Sequence, residues 1–150
     1  MSTHSVFLLV EDNEDDVFFM KRAFRDARLP NQLQVVTSGD AAVEYLSNTG
    51  TFSNREKFPS PDLVFLDLKM PGMDGFDVLT WMRQERGLKV PVAVLTSSPE
   101  DSDRKRARAL GADCYLLKPP TQAMLKTCCD QFKLNCGTDD CQGPADPLRT

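Results

Sequence analysis

Five side chains in this sequence could together handle a phosphoryl group: the carboxylates of Glu11, Asp12 and Asp67, the hydroxyl of Thr96 and the ammonium of Lys118. Like charges in close contact either raise a pKa or recruit a cation. A hard divalent ion suits such a cluster, because magnesium takes oxygen ligands in near-octahedral geometry, keeps several waters and completes its shell with phosphate oxygen. A hydroxyl and an ammonium on the other side would neutralise the equatorial oxygens of an in-line transfer. One carboxylate must attack, and Asp67, between the acidic pair and the Thr96/Lys118 pair, is the candidate for an aspartyl phosphate.

These residues are scattered along the chain, so the fold has to gather them. Short apolar runs alternate with longer segments of helical period, the pattern of an α/β domain with a parallel sheet. Residues 5–10 are almost wholly apolar, as a strand covered on both faces requires. Val17, Met20, Phe24 and Ala27 then recur at helical spacing over 15–29, with Asn13 as cap and Glu14, Asp15 and Asp16 near the positive end of the dipole. The same alternation predicts strands at 33–36, 62–66, 90–95 and 114–117, and helices over 39–46, from Phe76 through Met82, over 100–110 and over 121–134. In the third of these five helices Phe76, Leu79 and Met82 face inward and Trp81 lies on the flank. The stretch 48–61, NTGTFSNREKFPSP, is polar and longer than most connections, which makes it a functional surface or a mobile excursion.

Five right-handed βα units give either the Rossmann order or the flavodoxin-like order 2-1-3-4-5. No GxGxxG follows the first strand, so the flavodoxin-like doubly wound (βα)5 three-layer sandwich is expected. In that order the first and third strands are neighbours at the switch point, and the ligand site lies beyond their carboxyl ends. Glu11 and Asp12 end the first strand, Asp67 the third and Thr96 the fourth, and Lys118 follows the fifth. Taken singly, these residues could be helix-entry acids, a cap and a solvated lysine. Jointly, they occupy one edge of the sheet.

A chain of 150 residues is the size of one domain, and a formal net charge of -4 does not provide the basic face that nucleic-acid binding needs. Arg104, Lys105, Arg106 and Arg108 would spread around a helix as solvated charges. No apolar stretch is long enough to span a bilayer, and the N-terminus lacks a basic leader, so no membrane partner and a cytoplasmic location are expected. The five cysteines, Cys114, Cys128, Cys129, Cys136 and Cys141, contain no CxxC. In a reducing compartment they read as buried or incidental thiols rather than disulfides, and their irregular spacing disfavours a zinc site.

With those positions in hand, the sequence resembles the receiver domains of bacterial response regulators over residues 6–134. The motifs stand as LLVEDN (8–13), LDLKMPGMDG (66–75), VLTSS (94–98) and YLLKPP (115–120). The resemblance implies that Asp67 accepts the phosphoryl group, that Asp12, Asp67 and the Lys69 carbonyl ligate Mg2+ with Glu11 acting through water, and that Thr96 and Lys118 contact the phosphoryl oxygens. It also implies a cis bond before Pro119 and a switch made of Thr96 and the aromatic Tyr115. The chain would catalyse its own phosphorylation and dephosphorylation without being a conventional turnover enzyme. Lys69 either reaches over the site or points into solvent.

The domain is expected at 1–134, followed by a polar tail at 135–150 too short for an effector domain, so output would pass to a downstream protein target. The long 48–61 loop, with LLVEDN and VLTSS, resembles single-domain regulators of phytochrome-type or hybrid histidine kinases. A homodimer through the face of the fourth and fifth helices is a further expectation. Two rivals remain. A haloacid-dehalogenase-like phosphatase would need a second acid where Lys69 stands, and an adaptor that works without phosphorylation would not need Asp67, Thr96 and Lys118.

Overall fold

The computed structural model describes residues 4–136. Its sheet contains β1 (Phe7–Val10), β2 (Leu33–Val36), β3 (Leu63–Leu66), β4 (Val92–Thr96) and β5 (Cys114–Leu117). All pairs are parallel and the order is β2-β1-β3-β4-β5, the flavodoxin-like arrangement expected. The helices are α1 (Glu14–Asp26), α2 (Gly39–Ser47), α3 (Gly75–Thr80), α4 (Asp101–Ala109) and α5 (Gln122–Gln131). A π-helical turn, Trp81–Glu85, extends α3, with Met82 buried on it and Trp81 only partly covered.

Successive strand residues point to opposite faces, and both faces are covered, which is why the strands read as unbroken apolar runs. Leu8, Val10, Val64, Leu66, Val92 and Val94 form one core with Tyr45, Phe76, Leu79, Met82 and Ala107. Phe7, Leu9, Leu63, Phe65, Ala93 and Leu95 form the other with Met20, Phe24, Leu125 and Cys128. Thus α2, α3 and α4 cover one face, and α1 and α5 the other.

The expected boundaries shift by a few residues, mostly at strand starts and at the ends of α1 and α5. β4 starts only at Val92, after Pro91, whose ring supplies no ladder donor. The 48–61 segment is a packed connection rather than an excursion. It carries a 3-10 turn, Gly50–Phe52, and its Phe52 and Phe58 rings lie 5.1 and 6.0 Å from the buried Tyr45 ring. The Tyr45 hydroxyl donates to the Pro59 carbonyl at 2.7 Å.

The thiol reading needs correction at two positions. Cys129 and Cys136 are joined as a disulfide, with Cα atoms 6.1 Å apart, a span that a bridge readily covers. The chain turns back after α5, and Asn135 exchanges hydrogen bonds with Ser5: its amide donates to Ser5 Oγ at 2.8 Å and its carbonyl accepts from the Ser5 amide at 2.9 Å. Asn31 Nδ2 donates to both carbonyls, at 2.7 Å to Ser5 and 2.9 Å to Asn135. The expected tail therefore begins as a docked segment; the rest of it, from 137 on, lies outside the described residues. No helix among the described residues is long and apolar enough to cross a membrane.

Candidate functional site

Strand register gathers the candidates. Val10 pairs with Leu66, so Glu11 and Asp67, one residue further, sit side by side at the carboxyl edge. Two ladder-like bonds fix them: the Asp67 amide donates to the Val10 carbonyl at 3.1 Å, and the Glu11 amide to that of Val36 at 3.0 Å. On the other side Thr96 pairs with Leu117, and the Lys118 amide donates to the Thr96 carbonyl at 2.8 Å. The Lys118–Pro119 peptide bond is cis.

Carboxylate oxygens of Glu11, Asp12 and Asp67 all lie within 4.8 Å of one another. Glu11 and Asp67 are buried, whereas Asp12 is exposed. The Lys118 ammonium enters this cluster, 2.7 Å from Glu11 Oε1, 2.7 Å from Asp16 Oδ2 and 3.4 Å from Asp67 Oδ2. Glu11 Oε2 also accepts from the Asn13 amide at 3.2 Å.

The electrostatics follow from this crowding. Burial lifts the Glu11 pKa from 4.5 to about 7; the Lys118 hydrogen bond opposes the lift and the neighbouring Asp67 charge adds to it. For Lys118, burial alone would lower the pKa, but the hydrogen bonds it donates to Asp16 and then Glu11, with the Asp67 charge, overcome it and hold the ammonium above its ordinary value. One ammonium thus pairs with three carboxylates while Asp12 adds a fourth beside them, and the surplus negative charge is carried by hard oxygen donors. That donor set fits a divalent cation of the magnesium or manganese kind.

Thr96 is fully buried at the end of β4, and its Oγ1 accepts from the Ser98 amide at 3.3 Å. Ser98 is a junction, since its Oγ donates to Asp103 at 2.7 Å and its carbonyl accepts from the Tyr115 hydroxyl at 2.9 Å. The Arg104 guanidinium lies 4.6 Å from the centre of the Tyr115 ring. Asp103 also pairs with Lys69 at 3.5 Å, so the largely exposed Lys69 side chain leans toward α4. The Ser98 hydrogen bond, followed by the Lys69 and Arg106 charges, outweighs burial and holds the Asp103 carboxyl below its ordinary value. An open cleft of about 440 Å³ flanks the acceptor loop between Lys69, Pro71 and Asp74 on one side and Asp103 and Arg106 on the other.

The acceptor loop itself is held by the start of α3. Asp74 caps that helix reciprocally with Asp77, at 2.9 and 3.1 Å, and the Gly75 amide donates to the Leu68 carbonyl at 3.2 Å. Gly75 sits so close to the chain at Asp67 that a side chain there would run into the Asp67 carbonyl oxygen.

Sequence reasoning placed Asp16 only among the acids at the start of α1; in the structure it contacts Lys118 as closely as Glu11 does. Ser98 and Asp103 were likewise unmarked. The available signal for Asp16 was its place in the first turn of α1, directly after the carboxyl end of β1.

The family model for the response regulator receiver domain matches residues 7–129, most of the chain. The chain belongs to the response regulator receiver family. Membership leaves the phosphatase reading without support. Response regulator Rcp1 of Synechocystis sp. is 35% identical over 114 residues, 75% of this chain and 76% of Rcp1. The Mn2+-bound structure of Rcp1 matches this receiver with a TM-score of 0.71 and 32% identity, over 89% of this chain and 97% of that one. The bacteriophytochrome response regulator AtBRR matches with a TM-score of 0.78 and 32% identity, over 91% and 98% of the two chains. A phosphorylated cyanobacterial phytochrome response regulator, RcpA, matches with a TM-score of 0.72 and 30% identity, over 87% and 92%.

Proposed function

We propose that this receiver accepts a phosphoryl group on Asp67 from a sensor histidine kinase, in a Mg2+-dependent reaction, and passes the signal to a protein partner. The observation that carries the reading is the convergence of Lys118, Glu11 and Asp67 at one edge of the sheet, with Asp12 beside them.

In the transfer, an Asp67 carboxylate oxygen forms a bond to phosphorus while the bond from phosphorus to the donor's imidazole nitrogen breaks, and the leaving imidazole takes up a proton. Asp12 and Asp67, with the Lys69 carbonyl and with Glu11 through water, would hold a divalent cation, which would supply charge neutralisation at the phosphoryl oxygens. Lys118 offers a fixed positive charge to the same oxygens, and Thr96 a hydroxyl donor. Once Thr96 turns to the phosphoryl group, its contact with the Ser98 amide is given up, and the Ser98 junction transmits that change to Tyr115 and α4. The Tyr115 ring and the α4–β5–α5 face then shift between two packings, and a homodimer or a target protein reads that face.

The kinase we favour is of the phytochrome type or a related hybrid, a reading supported by the named function of AtBRR and RcpA. The test is incubation of the protein with acetyl phosphate and Mg2+ followed by intact mass. One phosphoryl group is gained, and Asp67→Asn gains none; a wild-type mass that does not change would end the proposal.

A further inference from the structure

Lys118 has the longest flexible reach of any group in the site, and something must keep its ammonium at Asp67. Its backbone is tied to Thr96, but four rotatable bonds separate that anchor from Nζ, and ordering so long a side chain opposes binding entropically. Two carboxylates do the ordering, Glu11 and Asp16, each 2.7 Å from Nζ. They differ in one respect that matters. Glu11 belongs to the three-carboxylate cluster that could hold a cation, whereas Asp16 lies outside it. A cation in that cluster competes for Glu11 and leaves Asp16 as the dedicated partner of the lysine.

Asp16 is also mounted on a fixed element. It is the third residue of α1, and its amide donates to the capping Asn13 Oδ1 at 3.1 Å, so its carboxylate projects from the fixed first turn of a helix. An ammonium carries three N–H donors. With one held by Asp16, two remain for phosphoryl oxygens after the cation has drawn Glu11 away.

We propose that Asp16 is a positioning residue for phosphotransfer: its carboxylate anchors Lys118 Nζ beside Asp67 so that the ammonium meets the incoming phosphoryl group without a conformational search. The proposal rests on Asp67 being the acceptor. It also has an electrostatic opposite, because an extra negative charge near the site repels a phosphoryl group; if repulsion dominated, losing the charge would speed the reaction.

The full chain and its Asp16→Ala, Asp16→Asn and Asp15→Ala variants are compared for the rate of mass gain with saturating acetyl phosphate and Mg2+, after circular dichroism has verified folding. Asp16→Ala slows the reaction about fivefold, a share of the ordering cost of a lysine side chain, with little change in the donor concentration at half-maximal rate. Asp16→Asn, whose Oδ1 still accepts from Nζ, recovers most of the rate, and the exposed Asp15→Ala matches wild type. In 15N-lysine spectra of the metal-free protein, the Lys118 Nζ signal is protected in wild type and Asp16→Asn and lost to solvent exchange in Asp16→Ala. An Asp16→Ala rate equal to wild type, equal losses in Ala and Asn, or a faster reaction in both overturns the proposal. A wild-type chain that takes no phosphoryl group overturns the acceptor reading instead, while the Nζ spectra still report whether Asp16 holds the lysine.

Discussion

Replacing Gly75 by alanine tests how tightly the start of α3 fixes the acceptor. The added Cβ would run into the Asp67 carbonyl oxygen and come within 2.8 Å of Leu68 Cα, both backbone atoms that cannot swing aside. Overpacking of this kind costs about 1–3 kcal/mol. The same change at Gly72 gives a matched control: that residue has φ +71° and open space around it, so alanine there suffers only the left-handed backbone penalty of about 1–2 kcal/mol. Gly75→Ala should therefore melt roughly 2–12 °C and Gly72→Ala roughly 2–8 °C below wild type, ranges that overlap too far for stability alone to separate them. Phosphorylation will. Relief of the Gly75→Ala clash moves the Asp67 peptide, and displacement of a reacting group by about 1 Å can cost on the order of 100-fold in rate. The assay is the initial rate of mass gain with acetyl phosphate and Mg2+, run well below either melting temperature. Gly75→Ala should be severely slowed and Gly72→Ala nearly normal; equal rates in the two folded variants would show that the glycine does not set the acceptor's position.

Tyr45→Phe removes the hydrogen bond to Pro59 and should lower stability by about 0.5–1.5 kcal/mol near neutral pH, with faster tryptic cleavage at Arg55 and Lys57. Burial, partly offset by the Arg55 charge, lifts the Tyr45 phenol from 10.0 to about 12, so its contribution is fully present below pH 10 and is lost as the pH rises through 12; the stability gap between wild type and Tyr45→Phe should close over that window in urea titrations. Mg2+ at 100 times its dissociation constant should stabilise the protein by about 2.7 kcal/mol, and chelation or Asp12→Ala should remove most of that gain in thermal melts.

The architecture was legible because both faces of every central strand are buried. That made 6–10 and 63–66 unbroken apolar runs, and the polar residues closing those runs marked the carboxyl edge, where Glu11, Asp67, Thr96 and Lys118 fall. What stayed hidden depends on side-chain reach across the fold. Asp16 looks like any acid in a first helical turn, and only the path of Lys118 from β5 distinguishes it from Glu14 and Asp15. Lys69 has two open directions until α4 brings Asp103 to it. The 48–61 segment reads as polar because twelve of its fourteen residues carry no large apolar group to pack, yet Phe52 and Phe58 suffice to bind it to Tyr45. The Cys129–Cys136 pairing escaped because a redox assumption was applied where only the return of the chain after α5 could decide.

The two-sided sheet also separates neighbours and joins strangers. Leu8 and Leu9 are consecutive, yet one packs beneath Tyr45 and Phe76 and the other beneath Met20 and Leu125. Side chains that share no packing partner vary almost independently, whereas those in one packed layer compensate for each other's volume. The helical cover on either face can therefore be redrawn without retuning the opposite one, while the carboxyl edge, where Asp67 sits, remains the place at which both sides are felt.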